Sequence, residues 1–95
     1  SVRYTIGEPG IDELNISPNP AENSFTIRFM VEQANKFAIE LYDLNGRKIK
    51  TLKNKYLPAG SFTNEFGVGD MVSGTYLIVI RSDAGSMTGK LEVVR

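Results

Sequence analysis

The chain has 95 residues, of which 41% are apolar and 23% charged, and its 11 Lys and Arg residues balance its 11 Asp and Glu residues. This balance argues against nucleic-acid binding and against a polybasic membrane patch, because both need an excess of cations. The sequence contains no Cys and no His, which excludes disulfides, thiol chemistry, imidazole metal ligands and catalytic triads with a His base. The length fits one domain.

The first twelve residues allow two interpretations. Gly7, Pro9 and Gly10 interrupt any regular pattern, so residues 1–12 are expected to form either a linker or a first edge strand at 2–6. Residues 13–95 are expected to form the domain itself. The first residues do not resemble a signal peptide, and the chain lacks an initial Met. We therefore expect a fragment or a processed product of a longer polypeptide.

The first half of the domain has the two-residue period of β-strands. Residues 14–16 form a short apolar strand, which Pro18 and Pro20 end because proline cannot continue a central strand. Residues 24–31 and 37–42 then alternate apolar and polar side chains, which predicts two strands that each bury one face. The predicted inward side chains are Phe25, Ile27, Phe29 and Val31 in the first of these strands and Phe37, Ile39 and Leu41 in the second.

The Asn45-Gly46 pair predicts a hairpin turn, because both residues tolerate positive φ. In the returning strand, at 48–52, Lys48 and Lys50 are expected to face solvent and to protect a sheet edge. Asp43 and Asn45 could suggest a calcium loop, but the further carboxylates and the terminal Glu of an EF-hand are absent. We interpret both as turn residues that bond their own backbone.

The second half continues with a turn at 58–60, a strand at 61–66 and a Gly-rich loop at 67–74. In that loop, the apolar pair Met71 and Val72 is expected to cover the edge of the core.

Two further strands complete the pattern. Residues 75–81 are almost continuously apolar, as in a central strand covered on both faces, and residues 87–95 form the last strand. Tyr76 follows Gly74 closely and is expected to bond its hydroxyl to loop backbone, as in the tyrosine corner of β-sandwiches. The elements together predict an all-β protein, an immunoglobulin-like antiparallel β-sandwich of about seven strands. An up-and-down barrel is the second choice.

No residue group indicates catalysis. The scattered acids do not form the carboxylate pair of a glycosidase, and no serine has a His base. Residues 67–70 are not followed by the helix that a phosphate loop needs. All five Phe residues occupy inward positions, which leaves Tyr4 and Tyr56 as an exposed aromatic pair. We expect no catalytic residue, no metal and no cofactor.

Three segments in a fixed order resemble a known family. They are Ile16-Ser17-Pro18-Asn19-Pro20 with Phe25-Thr26-Ile27, then Ile39 to Ile49 with Tyr42-Asp43-Leu44-Asn45-Gly46-Arg47 at its centre, then Met71 to Ile80 followed by Gly85 and the ending Lys90-Leu91-Glu92-Val93-Val94-Arg95. In this order the segments resemble the C-terminal sorting domain of the type IX secretion system of certain Gram-negative bacteria. The resemblance covers residues 14–95.

The resemblance implies an immunoglobulin-like signal domain that directs export of an N-terminal cargo across the outer membrane. It implies transit through the periplasm, and then the outer membrane, the cell surface or secretion. Implied partners are the type IX translocon and sortase components of the outer membrane and, in members that are cleaved and anchored, anionic lipopolysaccharide. By motif match, the recognition positions are Pro18, Asn19, Pro20, Asp43, Gly46, Gly74, Tyr76, Lys90, Leu91, Val93, Val94 and Arg95.

Each of these positions also has a structural interpretation, such as ending a strand, permitting positive φ or shaping a strand entry. Among them the terminal strand is the preferred recognition element, because an exposed edge strand can pair with a partner. The same edge could join two copies into a homodimer.

The alternative function is a retained, non-catalytic β-sandwich module of a surface or secretion-machinery protein. Such a module would bind or anchor to a glycan, to lipopolysaccharide or to a protein partner, and Tyr4 and Tyr56 motivate the glycan version.

Overall fold

The structure is a computed structural model that describes residues 3–7, 11–69 and 71–95, with side chains for residues 14–69 and 71–95. All regular structure in this part of the chain is β, and the strands form two antiparallel sheets packed as a sandwich. The strands are β1 (Arg3–Gly7), β2 (Ile11–Ser17), β3 (Ser24–Val31), β4 (Asn35–Asp43), β5 (Lys48–Leu57), β6 (Gly60–Gly67), β7 (Gly74–Ser82) and β8 (Gly85–Val93).

The strand order follows the immunoglobulin plan with one strand moved. The five-stranded sheet has the order β1-β8-β7-β4-β5 and the three-stranded sheet the order β2-β3-β6. When β2 to β8 are compared with strands A to G of a constant domain, β2, β3 and β6 match A, B and E, and β4, β7 and β8 match C, F and G. Strand D of a constant domain pairs with E, whereas β5 pairs with β4. The predicted immunoglobulin-like sandwich is confirmed, and the barrel is wrong.

The side chains predicted to point inward do form the core. Phe25, Ile27 and Phe29 of β3 are 0% exposed, and the inward residues of β4 are at most 1% exposed. Phe62 and Phe66 of β6 are half-buried and pack against this core. The core therefore follows from the period of two in each strand.

Contacts across the sandwich show which strands face each other. A Cβ atom added at Gly89 of β8 would lie 2.7 Å from Cδ1 of Ile16, so β2 packs on β8. On the opposite side, the ring centroids of Phe29 in β3 and Phe37 in β4 are 6.2 Å apart. β5 lies at the edge of the larger sheet, and the smaller sheet covers it poorly, since only Leu57 of the 10 residues of β5 is buried.

The central strand β7 is covered on one face only. Ile78 and Ile80 are 0% exposed, but Leu77 and Val79, which alternate with them, are half-buried. The expectation of cover on both faces is wrong, because the second sheet packs on a single face of β7. The neighbours in register, such as Tyr42 beside Leu77, give the outer face its partial shielding.

An ion-pair network lies on this outer face. The Glu40 carboxylate accepts hydrogen bonds from the Tyr42 hydroxyl at 3.0 Å and from the Arg81 guanidinium at 2.9 Å, and Nζ of Lys48 lies 3.4 Å away. Burial alone would raise the pKa of Glu40, but the hydrogen bonds and the two cations outweigh it and hold this pKa below its ordinary value. The outer face therefore carries a charged network at neutral pH.

The structure can be compared with the expectations for the returning strand at 48–52 and for residues 1–12. β5 extends to Leu57 and so is longer than the predicted 48–52, and its Lys48 and Lys50 are exposed at a sheet edge as predicted. β1 pairs with the first half of β8. Residues 1, 2 and 8–10 lie outside the described residues, and a domain boundary after residue 12 stays a prediction.

Within the described residues, no helix is long and apolar enough to cross a membrane.

The core assignment predicts a large difference between two aromatic substitutions. Phe29→Ala removes a ring that is 0% exposed and should lower the free energy of unfolding by about 3–5 kcal/mol. The control Tyr56→Ala removes a ring that is 64% exposed and should change it by less than about 0.5 kcal/mol. Urea unfolding followed by circular dichroism measures both, and equal losses would contradict the assignment.

Candidate functional site

Each of the three motif segments contributes a loop or the chain end to the same end of the sandwich, whereas Gly85 lies at the opposite end, where β8 begins. Antiparallel pairing places the β2–β3 connection (18–23), the β4–β5 turn (44–47), the described residues of the β6–β7 loop (68–69 and 71–73) and the chain end (94–95) at the same end. In register, Asp43 lies opposite Tyr76, and Tyr76 lies opposite Leu91. We call these four segments the motif end.

The side chain of Asn19 bonds the Pro-Asn-Pro segment to β8. Its Nδ2 donates to the Lys90 carbonyl at 2.8 Å, and its Oδ1 accepts from the Glu92 N–H at 2.8 Å. The amide thus replaces a peptide unit of a neighbouring strand. The flanking residues Pro18 and Pro20 are exposed, and both X-Pro peptide bonds of the segment are cis.

Ala21 continues this pairing through its backbone. Its N–H donates to the Glu92 carbonyl at 2.7 Å, and its carbonyl accepts from the Val94 N–H at 2.8 Å, which forms a parallel bridge with Val93. β1 pairs with residues 85–89, so β8 has a partner on its outer side along almost its whole length.

The expectation that the terminal strand is an exposed edge is therefore wrong. β8 lies between β7 and β1. Beyond Gly89, where the pairing with β1 stops, the segment 19–21 pairs with β8. Leu91 is 0% and Val93 2% exposed, so these two residues belong to the core. Lys90 is half-buried, and its Nζ lies 3.5 Å from Oε1 of Glu92. The cover of β8 could not be predicted from the sequence, because part of it depends on the side-chain amide of Asn19, which lies 71 residues from Lys90 in the chain.

The β4–β5 turn is built by Asp43 and Gly46. Oδ1 of Asp43 accepts from the N–H groups of Asn45 at 2.9 Å and Arg47 at 3.0 Å, as predicted for a turn residue. The Asp43 carbonyl accepts from the Gly46 N–H at 3.1 Å, and Gly46 has φ 84°. Leu44 and Asn45 are thus the central residues of the β-turn 43–46, and together with Gly46, which takes the left-handed position, they form a three-residue hairpin loop.

The backbone N–H of Arg47 is the main reason that the pKa of Asp43 lies below its ordinary value; the Asn45 N–H and the Arg47 charge add to this effect, and burial opposes it. Among the described residues, no group of three or more His, Cys, Asp or Glu residues is placed to hold a metal ion.

Tyr76 and Arg95 hold the β6–β7 loop. The Tyr76 hydroxyl donates to the Val72 carbonyl at 2.6 Å, which confirms the predicted tyrosine corner. Nη1 of Arg95 donates to the carbonyls of Gly69 and of Met71, the latter at 3.0 Å. The Arg95 N–H donates to Oγ of Ser73 at 2.9 Å. Asp70 lies outside the described residues.

The structure gives no steric reason for a glycine at position 74. A Cβ atom added to it would meet nothing within 4 Å. The expectation for Met71 and Val72 is half right, since Met71 is 8% exposed but Val72 is 72% exposed. Val72 points outward because Met71, its neighbour in the chain, already fills the core edge.

The motif end exposes several apolar side chains. Leu44 is 64%, Val72 72% and Val94 49% exposed. A groove of about 400 Å³ beside Val94 is lined by Pro18, Pro20, Glu22, Asn23 and Ser24.

Of these three side chains, only Val94 was among the predicted recognition residues. Leu44 and Val72 were missed because alternation assigns no face to a residue in a loop. The polar motif residues Asn19, Asp43 and Tyr76 thus hold the loops in place, and apolar neighbours such as Leu44 and Val72 are exposed beside them.

Of the aromatic pair proposed for glycan binding, Tyr56 is exposed, and it lies towards the opposite end of the sandwich. The Tyr4 side chain lies outside the described side chains.

Comparison with known proteins agrees with this fold and these motifs. The profile of the family described as Secretion system C-terminal sorting domain matches residues 15–94. The chain is also similar to the crystal structure of dimeric latent PorU from Porphyromonas gingivalis, with a TM-score of 0.67 and 24% sequence identity. That alignment covers 85% of this chain and 9% of the PorU chain, and it supports the fold alone. No curated protein matches the chain.

The fold is a β-sandwich, and the family match makes it a signal module. The chain belongs to the C-terminal sorting domain family of the type IX secretion system. It is thus the kind of domain that sorts exported proteins, and export to the outer membrane, the cell surface or the medium is the corresponding destination.

The role of Asn19 predicts a pH-dependent loss of stability in Asn19→Asp. A charged Asp at this position would place a carboxylate beside the Lys90 carbonyl, so the variant should lose about 1–3 kcal/mol at pH 7. A protonated Asp again offers one donor and one acceptor. Folding therefore raises the pKa of the introduced carboxyl group, and the loss should disappear as pH falls from that raised pKa to below about 3.9, the value in the unfolded chain.

Urea unfolding at several pH values measures the difference between variant and wild type. The control is Asn54→Asp on β5, an exposed position whose substitution should give no loss that recovers in acid. A loss for Asn19→Asp that is constant from pH 7 to pH 3 would contradict the paired hydrogen bonds.

Proposed function

We propose that this domain directs the export of an upstream cargo through the type IX secretion system and that the motif end is the surface the machinery reads. The carrying observation is that each of the three motif segments contributes a loop or the chain end to one end of the sandwich, where Leu44, Val72 and Val94 are exposed. Exposed apolar side chains at one end of a small domain support a protein interaction site there when they form a contiguous patch.

The motif residues serve this surface in two ways. Asn19, Asp43, Tyr76 and Arg95 use their side chains on internal hydrogen bonds. They therefore act as positioning residues, and their loss would disturb recognition by displacing loops. Pro18, Pro20 and Val94, beside the groove, are available for direct contact.

The finer steps belong to the same proposal. The partners are the translocon and sortase components of the outer membrane, met after transit through the periplasm. Cleavage of the domain and transfer of the cargo to anionic lipopolysaccharide follow in this scheme. The domain itself catalyses nothing.

The second candidate is a retained, non-catalytic binding or anchoring module, for a glycan, lipopolysaccharide or a protein partner. The observation in its favour is Tyr56, whose ring is 64% exposed. In that case the domain would stay attached to the cargo on the surface, alone or as a homodimer.

Export of a reporter tests the proposal. The 95-residue chain is placed behind a Sec signal peptide and a fluorescent protein in a bacterium with a type IX system. We expect the wild-type fusion at the surface or in the medium, and in the periplasm of a secretion mutant. The mass of the exported reporter distinguishes a cleaved domain from a retained module.

Substitution of the apolar surface makes the test specific. Leu44→Ser/Val72→Ser/Val94→Ser should leave the fusion folded, because exposed changes cost less than about 0.5 kcal/mol each, but should hold it in the periplasm. Tyr56→Ser is the control, since Tyr56 is as exposed as Leu44 and lies towards the other end. Normal export of the triple variant, or an equal block by Tyr56→Ser, would contradict the assigned surface. Deletion of residues 91–95 is a poor test, because it removes the core side chains Leu91 and Val93.

A further inference from the structure

An open strand position lies beside β6. β6 pairs with β3 along its whole length, and it has no partner on its other side within the described residues. In a constant immunoglobulin domain this position holds strand D, but β5, which follows β4, pairs with β4 instead. The outer N–H and C=O groups of β6 can therefore pair with an added strand.

The neighbouring strand β5 concentrates positive charge. Five of the 11 Lys and Arg residues lie within residues 47–55, and no acid occurs between Asp43 and Glu65. Residues directly opposite each other in an antiparallel pair share a face. Three lysines of β5 lie opposite the buried residues of β4 and so lie on the inner face, on the side of the three-stranded sheet: Lys50 opposite Leu41, Lys53 opposite Ile39 and Lys55 opposite Phe37.

Among the described side chains, these three lysines have no anionic partner. Within the described part of the chain, Lys50, Lys53 and Lys55 form no ion pair and no side-chain hydrogen bond, whereas Arg47 and Lys48 each pair with an acid. Lys50 and Lys55 are exposed, and Lys53 is half-buried. The margin of the five-stranded sheet therefore presents unbalanced cations towards the open side of β6.

Apolar surface adjoins these charges. Leu52 of β5 and Phe62 and Phe66 of β6 pack against the core but are only half-buried. In other strands of the sandwich the inward side chains are almost fully buried. The incomplete burial is what a missing neighbour strand would leave.

We propose that an extended acidic peptide segment of a partner protein binds along the open edge of β6 as an added strand. Every second side chain of such a strand points towards the inner face of β5, so acidic residues at those positions meet Lys50, Lys53 and Lys55. Main-chain hydrogen bonds to β6 supply affinity, and the lysines select charge. This surface is separate from the motif end, and the proposal does not rest on the export function.

Two other occupants fit the observations less well. A polyanionic polysaccharide would satisfy the lysines but has no peptide backbone to pair with β6. A second copy of this chain would bring its own β6, which carries one acid, Glu65, against three lysines. Lysines on a sheet edge also protect against aggregation, and if that were their only role no acidic strand would bind.

Binding of designed peptides to the 95-residue chain tests the proposal. The probe is an eight-residue peptide of alternating Glu and Thr. The control peptides are alternating Gln and Thr, which lacks charge, and alternating Glu and Pro, which keeps the charge but has no N–H at every second residue. We expect the Glu-Thr peptide to bind at least about tenfold more tightly than either control, and to weaken as salt rises.

Hydrogen exchange and charge reversal locate the binding. Alternate backbone amides of β6 should exchange more slowly with the Glu-Thr peptide bound. Lys53→Glu/Lys55→Glu should weaken binding about tenfold or more, whereas Arg28→Glu/Lys36→Glu, with the same change of charge elsewhere, should leave it within about threefold.

Each other result would overturn the proposal. Equal binding of the Glu-Pro peptide, or tighter binding of heparin without protection of β6, would indicate a polyanion site in place of strand addition. Protection of β6 that grows with protein concentration in the absence of peptide would indicate a second copy. No binding of the Glu-Thr peptide at millimolar concentration would leave the lysines as edge protection alone.

Discussion

Four hydrogen bonds between residues 19–21 and the end of β8 hold the motif end together. Asn19 supplies two of them through its side chain, and Ala21 supplies two through its backbone. Without them the second half of β8 would present an unpaired edge, and the Pro-Asn-Pro segment would have no fixed place. With them, a connection that belongs to the three-stranded sheet is joined to the five-stranded sheet, and the chain end is set beside the β6–β7 loop.

The family motifs are best understood as parts of this construction. Asp43 and Gly46 shape one loop, Tyr76 and Arg95 hold another, and Asn19 fixes the third segment. The side chains exposed between them include the apolar Leu44, Val72 and Val94. Under the proposed function, the signal would be the shape and apolarity of a surface that these hydrogen bonds hold in place. Under the same proposal, a motif residue acts by positioning a loop and does not need to touch a partner.

The fold could be derived from the sequence to a large extent, because alternation in residues 24–31 and 37–42 fixes which faces are buried. The turn at Gly46 and the tyrosine corner at Tyr76 could be predicted too, since both depend on local chemistry. The surroundings of β8 could not be predicted from the sequence. Its cover comes from β1 and from a side chain far away in the sequence, and neither leaves a periodic signal. For the same reason the exposure of Leu44 and Val72 could not be read from the loops that contain them.

The pairing of β5 with β4, in place of a pairing with β6, could not be predicted from the sequence either. A run of lysines indicates an edge strand, but it does not say which sheet the edge belongs to, and the hairpin at 43–47 decides that by pairing β5 with β4. One consequence, within the described residues, is the open side of β6, and another is a set of three lysines on the inner face of β5 that have no anionic partner there. The sandwich thus has two distinct surfaces, an apolar one at the motif end and a basic one along its side.

Cross-linking in living cells tests the central claim, that the secretion machinery reads the motif end, most directly. A photoreactive phenylalanine analogue is placed at Val72 in one fusion and at Tyr56 in another, two positions of similar exposure that lie towards opposite ends of the sandwich. The account predicts that irradiation links the Val72 position, and not the Tyr56 position, to an outer-membrane component of the type IX system. Cross-links to that component from Tyr56 alone would contradict the account.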